Sequence, residues 1–319
     1  MIELSRVKEI FEGIHHEIGK VIIGQDETVR LMLAALLVKG HILMEGVPGT
    51  AKTLTVKTAA EIIGASFRRI QMTPDLMPSD VLGTNIFDAR SGAFRVHKGP
   101  IFSDLVLVDE INRAPAKTQS ALLECMEERQ VTIEGNCFEL SPIFTVMATQ
   151  NSLEYEGTYP LPEAQLDRFL FKIMLDYPAE QAERDILGRF EAGFRSDNLK
   201  KVGLSHVADI DEIKECREAI TRVHTKEPVV AYITDIVRAT RDWSDFQIGA
   251  GVRASIGLLL ASKAVALMDG REFVTPDDVK AMVCPVLRHR VILKPEAEIE
   301  GINADVALTT VLGRVKVPR

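Results

Sequence analysis

The chain has 319 residues, enough for about two domains and for a core that needs no disulfide staples. Its 38 Lys and Arg stand against 46 Asp and Glu, a net charge of −8. That balance argues against a strongly basic nucleic-acid binder and for partners that are proteins or small molecules.

Four cysteines, Cys125, Cys137, Cys216 and Cys284, form no CxxC pair and have no His at zinc-ligand spacing. They read as small buried hydrophobes of a reducing compartment. The first nine residues carry charges where a signal peptide needs an apolar core. The longest uncharged apolar run, Leu31 to Val38, is too short to span a bilayer. The sequence therefore reads as a cytoplasmic protein with no membrane span.

In chain order, Leu4, Val7, Ile10, Phe11 and Ile14 fall at helical spacing and predict one amphipathic helix over residues 1–20. A second apolar helix is expected over 27–39, stopped by Gly40. Five short apolar runs then alternate with helical stretches: 41–45, 67–71, 105–108, 143–148 and 169–175. None shows strict alternation, as expected of strands buried on both faces of a parallel sheet. The pattern predicts an α/β doubly wound domain with a parallel five-stranded sheet. Gly193 to Asn198 reads as a linker, and the rest as helical. There, 256–268 is apolar around most of its circumference and reads as the central helix of a small bundle. Gly270 sits where a helix stop belongs, and Thr275, Pro276, Asp277 and Asp278 read as a helix start.

The strongest local signal is Gly46-Val-Pro-Gly-Thr-Ala-Lys-Thr53, between an expected strand and an expected helix. That context identifies a phosphate loop. Gly46 and Gly49 let the backbone wrap closely with its N–H groups turned inward, and the helix N-terminus adds its positive end. Lys52 is expected to reach the β and γ phosphates and the Thr53 hydroxyl to ligate Mg²⁺. Ala51 stands where Gly is usual before the Lys, and we expect it to be helical. Leu105-Val-Leu-Val-Asp-Glu110 is an apolar strand ending in two carboxylates. Asp109 suits the Mg²⁺ and Glu110 the polarisation of a water against the γ-phosphate.

With both motifs in view, the chain resembles the MoxR family of AAA+ ATPases. Matching stretches run through nearly the whole sequence: Val21 to Gln25, Gly46 to Thr53, Val108 to Pro115, Lys117 to Glu124, Ala148 to Asn151, Leu161 to Phe169, Gly251 to Ser255 and Phe273 to Val279. The resemblance implies an AAA+ core over 1–195 and an α-helical lid over 196–319. It implies an ATP/ADP site formed by Ile23, Gly24, Gln25, Gly46, Val47, Pro48, Gly49, Thr50, Ala51, Lys52, Thr53 and Leu54, with Mg²⁺ on Thr53 and Asp109. Glu110 becomes the catalytic base, Asn151 sensor 1, Arg168 the arginine finger reaching a neighbouring subunit, and Arg253 a sensor 2 at the nucleotide. Arg113 becomes a secondary candidate for an interface contact. Arg253 is expected just before the 256–268 helix, where a cation opposes the helix dipole.

The resemblance further implies a helix-2 insert at about 75–103 and a hairpin at about 131–142, turning at Gly135-Asn136. That hairpin carries Glu134 and Glu139 and no Lys or Arg, which disfavours a grip on phosphate backbones, while Arg90, Arg95, His97 and Lys98 stand in the insert. The expected activity is ATP hydrolysis in an oligomeric ring, a hexamer by resemblance, remodelling protein clients such as von Willebrand factor A domain proteins. The alternatives are a nucleic-acid-dependent motor of the helicase kind, a magnesium-chelatase-like motor subunit, or a nucleotide-switched scaffold without useful turnover.

Overall fold

The computed structural model describes residues 2–47, 49–90, 92–151, 158–196 and 199–318. The chain opens with α1 (Leu4–Gly19) and α2 (Asp26–Leu37). The α1 face made by Val7, Ile10, Phe11, Ile14 and Ile18 is buried, as its spacing requires. Lys39, not Gly40, ends α2: it adopts the left-handed conformation (φ 57°), and the Gly40 N–H closes the turn on the Ala35 carbonyl at 2.8 Å. Gly40 is small for another reason, because a Cβ there would meet Leu170.

Next come β1 (Ile42–Gly46), α3 (Lys52–Ile62), β2 (Phe67–Gln71) and the short α4 (Pro78–Leu82). A two-stranded ribbon follows, β3 (Gly83–Asp88) paired antiparallel with β4 (Ala93–Lys98). Then β5 (Leu105–Asp109), α5 (Ala116–Glu128) and a second ribbon, β6 (Gln130–Ile133) with β7 (Asn136–Glu139), lead into β8 (Thr145–Gln150), α6 (Glu163–Leu166) and β9 (Phe171–Leu175). The five long-range strands form one parallel sheet in the order β2-β5-β8-β1-β9. All five residues of β5 are buried, which explains its continuous apolar run.

The second ribbon turns at Glu134 and Gly135, both at positive φ (48° and 80°), one residue earlier than the sequence suggests. A two-residue turn of that hand matches the twist of the flanking strands. Cys137 lies exposed on this ribbon, against the expectation of burial, with its thiol donating to Gln130 Oε1 at 3.0 Å. Burial pushes the Cys125 and Cys216 thiols up to about 12, so both behave as inert hydrophobes.

Helix α7 (Glu180–Glu191) leads to the helical part, α8 (Ile210–Ala219), α9 (Glu227–Arg241), α10 (Val252–Met268), α11 (Pro276–Leu287), α12 (Pro295–Ile299) and α13 (Ala304–Arg314). One small antiparallel pair, Phe246–Ile248 with Ile292–Leu293, interrupts the helices. Residues Ala264 to Met268 of α10 are all buried, and Gly270 (φ 76°) ends the helix. Thr275 caps α11 in a reciprocal box with Asp278. One apolar cluster spans α1, α2, one face of the sheet and the helical part. A second fills the other face, under α5 and the ribbons.

Two guanidiniums, one buried and one half-buried, join these layers with no carboxylate partner among the described residues. Arg217 of α8 donates to the carbonyls of Leu36 (2.6 Å), Pro142 and Ile143 (3.3 Å). Arg129 donates to the carbonyls of Lys39 and Phe144. Arg217 thereby satisfies the carbonyls of Leu36 and Ile143, at a helix end and ahead of a strand, which would otherwise be buried unpaired. Desolvation lowers the Arg217 pKa to about 9. Among the described residues, no helix is long and apolar enough to cross a membrane.

Candidate active site

The loop after β1 enters α3 through two strained glycines. Gly46 (φ 150°) lies so close to the Leu175 carbonyl of β9 that no Cβ fits. Gly49 (φ 86°) has open space around it, so its requirement is the left-handed backbone itself. Pro48 lies outside the described residues. Ala51 is not helical as expected: it is the N-cap of α3 at φ 56°, ψ 20°. The left-handed turn is needed to swing the loop into the helix axis, and a methyl group is tolerated there at a cost of about 1 kcal/mol. Its carbonyl accepts from the Thr55 hydroxyl at 3.1 Å.

Lys52 is half-buried at the first position of α3, its Nζ 3.0 Å from the Gly46 carbonyl. Desolvation lowers its pKa. Thr50 is buried and donates to the Val47 carbonyl at 3.2 Å. Thr53 and Leu54 follow in the first turn, with Leu54 leaning on the core. Gln25 closes the loop from the α2 side, donating from Nε2 to the Thr50 carbonyl at 2.6 Å, while its Oε1 is buried without a partner. Gly24 (φ 73°) permits close packing: a Cβ there would stand 2.8 Å from Ala182 of α7. Ile23 is partly buried beside it. Gln25 thereby joins the stretch 23–25 to the loop.

Asp109 and Glu110 close β5 at the same edge of the sheet. The Thr149 hydroxyl donates to Asp109 Oδ1 at 3.1 Å and accepts from the Glu110 N–H at 2.9 Å, locking strands β5 and β8 in register there. Glu110 itself is left-handed (φ 57°), a strain of the kind found where a side chain must be aimed. Its Oε2 accepts from Gln71 at 2.8 Å and from Arg113 at 3.0 Å. Arg69 donates to Asp109 Oδ2 at 2.5 Å and to Gln71 at 2.9 Å. Arg69, Gln71 and Thr149 were not legible as site residues, because only the pairing of Arg69 with Leu107 and of Gln71 with Asp109, and that of Val108 with Ala148, brings them there. Asn151 stands one residue beyond β8, on the same edge. The hydroxyl of Thr53 and the carboxylate of Asp109 are hard oxygen donors of the kind Mg²⁺ takes, so the donor set fits that ion.

The remaining two arginines lie elsewhere. β1 and β9 run parallel, Ile42 opposite Phe171 and Gly46 opposite Leu175. The turn before Phe171 is therefore at the opposite end of the sheet from the phosphate loop, its Leu170 N–H donating to the His41 carbonyl at 2.8 Å. Five residues at 3.3 Å make that separation roughly 16 Å. Arg168 sits on this turn, with Nε 3.9 Å from Glu127 at the end of α5. Arg253 reaches the same carboxylate, Nη2 to Glu127 Oε1 at 2.8 Å, with Nη1 4.0 Å from Asp167. It lies inside α10, in the first turn after Gly251, rather than before the helix. Arg253 therefore does not face its own chain's loop, which corrects its expected place as a sensor 2 at the nucleotide of its own chain.

Buried Arg290 fixes the turn by donating to Asp167 Oδ1 (2.7 Å) and to the carbonyls of Phe169 (2.6 Å) and Leu170 (3.1 Å). His289 contacts the Phe169 carbonyl at 2.9 Å, and His41 the Met126 carbonyl at 3.1 Å while accepting from the Val146 N–H. Burial holds both imidazoles neutral, His41 at a pKa of about 3.

Residues 41–171 match the family described as ATPase family associated with various cellular activities (AAA), and residues 238–310 match the AAA lid domain. The chain is 47% identical over 307 residues to an uncharacterized Bacillus subtilis protein, YeaC, covering 96% of this chain and 94% of that one. It is 43% identical to Chaperone MoxR1 of Mycobacterium tuberculosis, over 95% of this chain and 81% of the relative. A crystal structure from Cytophaga hutchinsonii superposes with a TM-score of 0.91 at 41% identity, covering 99% and 97% of the two chains. With that order of motifs, that sheet and those relatives, the chain belongs to the MoxR family of AAA ATPases, an α/β AAA+ fold with a helical lid.

Proposed function

We propose that the protein binds and hydrolyses ATP in a ring, a hexamer, in which each nucleotide is held by one subunit and completed by the next. The core, 1–195, holds ATP or ADP on Gly46 to Leu54 with Ile23, Gly24 and Gln25 beside it, and the lid, 196–319, carries Arg253. Lys52 neutralises the β and γ phosphates, the backbone N–H groups of the loop donate to their oxygens, and Glu110 takes a proton from the attacking water while Asn151 orients it. Thr53 and Asp109 would hold Mg²⁺, which would supply charge neutralisation to the phosphate oxygens when bound. Arg168 and Arg253 of the neighbouring subunit oppose the charge that develops on the γ-phosphoryl group.

The observation that carries this reading is the division of the site between two edges of one sheet. Residues suited to holding nucleotide stand at one edge, and the two arginines suited to transition-state charge stand at the other, about 16 Å away. A ring that stacks one edge against the other reunites them. The product of this cycle is work on protein clients, consistent with the chaperone name of the Mycobacterium relative, and von Willebrand factor A domain proteins are the class to screen first. The −8 charge and the acidic second ribbon favour protein over nucleic acid as the client.

The test is ATPase rate per subunit against protein concentration, for wild type and Arg168→Ala. We expect a specific rate that climbs with concentration and collapses in the variant. A rate indifferent to both would sink the shared site.

A further inference from the structure

We propose that Glu127 is a positioning residue that holds Arg168 and Arg253 side by side, making one two-pronged cationic surface from the core and the lid. The inference rests on the shared site described above and deepens it.

Three observations carry it. First, one carboxylate serves both arginines, Oε1 at 2.8 Å from Arg253 and Oε2 at 3.9 Å from Arg168. Second, each charge is placed against the preference of its own helix end. Glu127 lies in the last turn of α5, the negative end, and Arg253 in the first turn of α10, the positive end. Neither end selects its charge for local stability. The two ends meet, and each charge is balanced by the other. Third, Arg168 is held through Nε, the near side of its guanidinium, so this ion pair does not use the Nη fork that binds phosphate oxygens. Asp167 and buried Arg290 anchor the backbone of the turn, and Glu127 sets the side chains.

A carboxylate in this place does two things. It fixes the spacing of two like charges that would otherwise repel, and it ties the lid's position to that of the core turn. Both matter only where a neighbour's phosphate must meet the two arginines together.

The experiment uses the full chain carrying Glu127→Ala, Glu127→Gln, Arg168→Ala, or Glu127→Ala with Arg168→Ala. It reads kcat and KM for ATP at assembling concentrations, and the affinity of dilute protein for a fluorescent ADP. We expect Glu127→Ala to lower kcat by about 10- to 100-fold, the scale of a misplaced catalytic group, with ADP affinity and KM within about twofold. Glu127→Gln, which keeps an acceptor for Arg253, should fall between. Adding Glu127→Ala to Arg168→Ala should cost less than about threefold more, because residues that act as a unit are non-additive. Full turnover in Glu127→Ala beside collapse in Arg168→Ala overturns the role of Glu127 and leaves the shared site standing. Full turnover in Arg168→Ala overturns the shared site itself. Loss of ADP affinity in Glu127→Ala would make it a residue of its own subunit's fold and overturn the inference as well.

Discussion

The two edges of the central sheet are built by different rules. At the edge after β1, β5 and β8, the important groups are local: a loop with two glycines at positive φ, a lysine in the first turn of a helix, and two carboxylates ending a buried strand. At the opposite edge nothing is local. Arg168, Arg253, Glu127, Asp167, Arg290, His41 and His289 come from five separate points in the sequence and meet only because α5, β9, α10 and α11 all begin or end there. On the reading proposed above, the first edge receives the ligand. The second is a rigid platform, in which buried guanidiniums and neutral imidazoles tie backbone carbonyls together. Phosphate chemistry can be carried by a motif, whereas a surface offered to a neighbour needs a frame.

That contrast can be broken most decisively by mixing subunits. Arg168→Ala should lower turnover on the order of 10³-fold, and Glu110→Gln by about 10²–10⁴-fold while still binding ATP. Mixing the two inactive proteins should restore part of the rate, because an intact phosphate edge then meets an intact arginine edge. No recovery would mean that the two edges do not serve one site.

The platform should also be the acid-sensitive edge. His41 and His289 are neutral when folded and have pKa values below the ordinary 6.5, so the unfolded chain binds protons that the native one does not. Stability is fully present above pH 6.5 and lost as pH falls toward the folded values, about 3 for His41, by about 1.4 kcal/mol per pH unit for each histidine. Urea midpoints at pH 7, 6 and 5 check this, and His41→Gln should flatten the dependence. A pH-independent midpoint over that range would contradict it.

At the phosphate edge the smaller effects lie. Ala51→Gly removes a left-handed alanine and should raise stability by about 0.5–1 kcal/mol, a thermal midpoint higher by a degree or two. A lower midpoint would mean the methyl group is doing something the strain conceals. Arg69→Ala frees Asp109 of its guanidinium, and because Arg69 is half-exposed the pair is worth only about 0.5–1 kcal/mol. The Mg²⁺ concentration needed for half-maximal nucleotide binding should therefore fall by about two- to fivefold, and a rise would assign Arg69 to holding Asp109 in place.

What the sequence determined on its own is whatever depends on near neighbours. The five parallel strands, the capped start of α11 at Thr275, the stop at Gly270, the phosphate loop and the carboxylate pair are each legible within about ten residues, because apolar runs, capping and left-handed turns leave composition signatures, although β2, at the edge of the sheet, buries only Ile70 rather than both faces. Some of its errors were of local conformation: Ala51 and Lys39 take left-handed backbones that their residue types rarely signal, and the second ribbon turns one residue early; others, the exposed Cys137 and the place of Arg253, were errors of tertiary position. Only the tertiary structure decided that Arg69 and Gln71 reach the carboxylates across a strand pair, that Thr149 pins them, and that Arg253 shares Glu127 with Arg168 at the far edge of the sheet. The reason is physical. Strand order and register set which distant side chains become neighbours, and neither is written in the local pattern of apolar and polar residues.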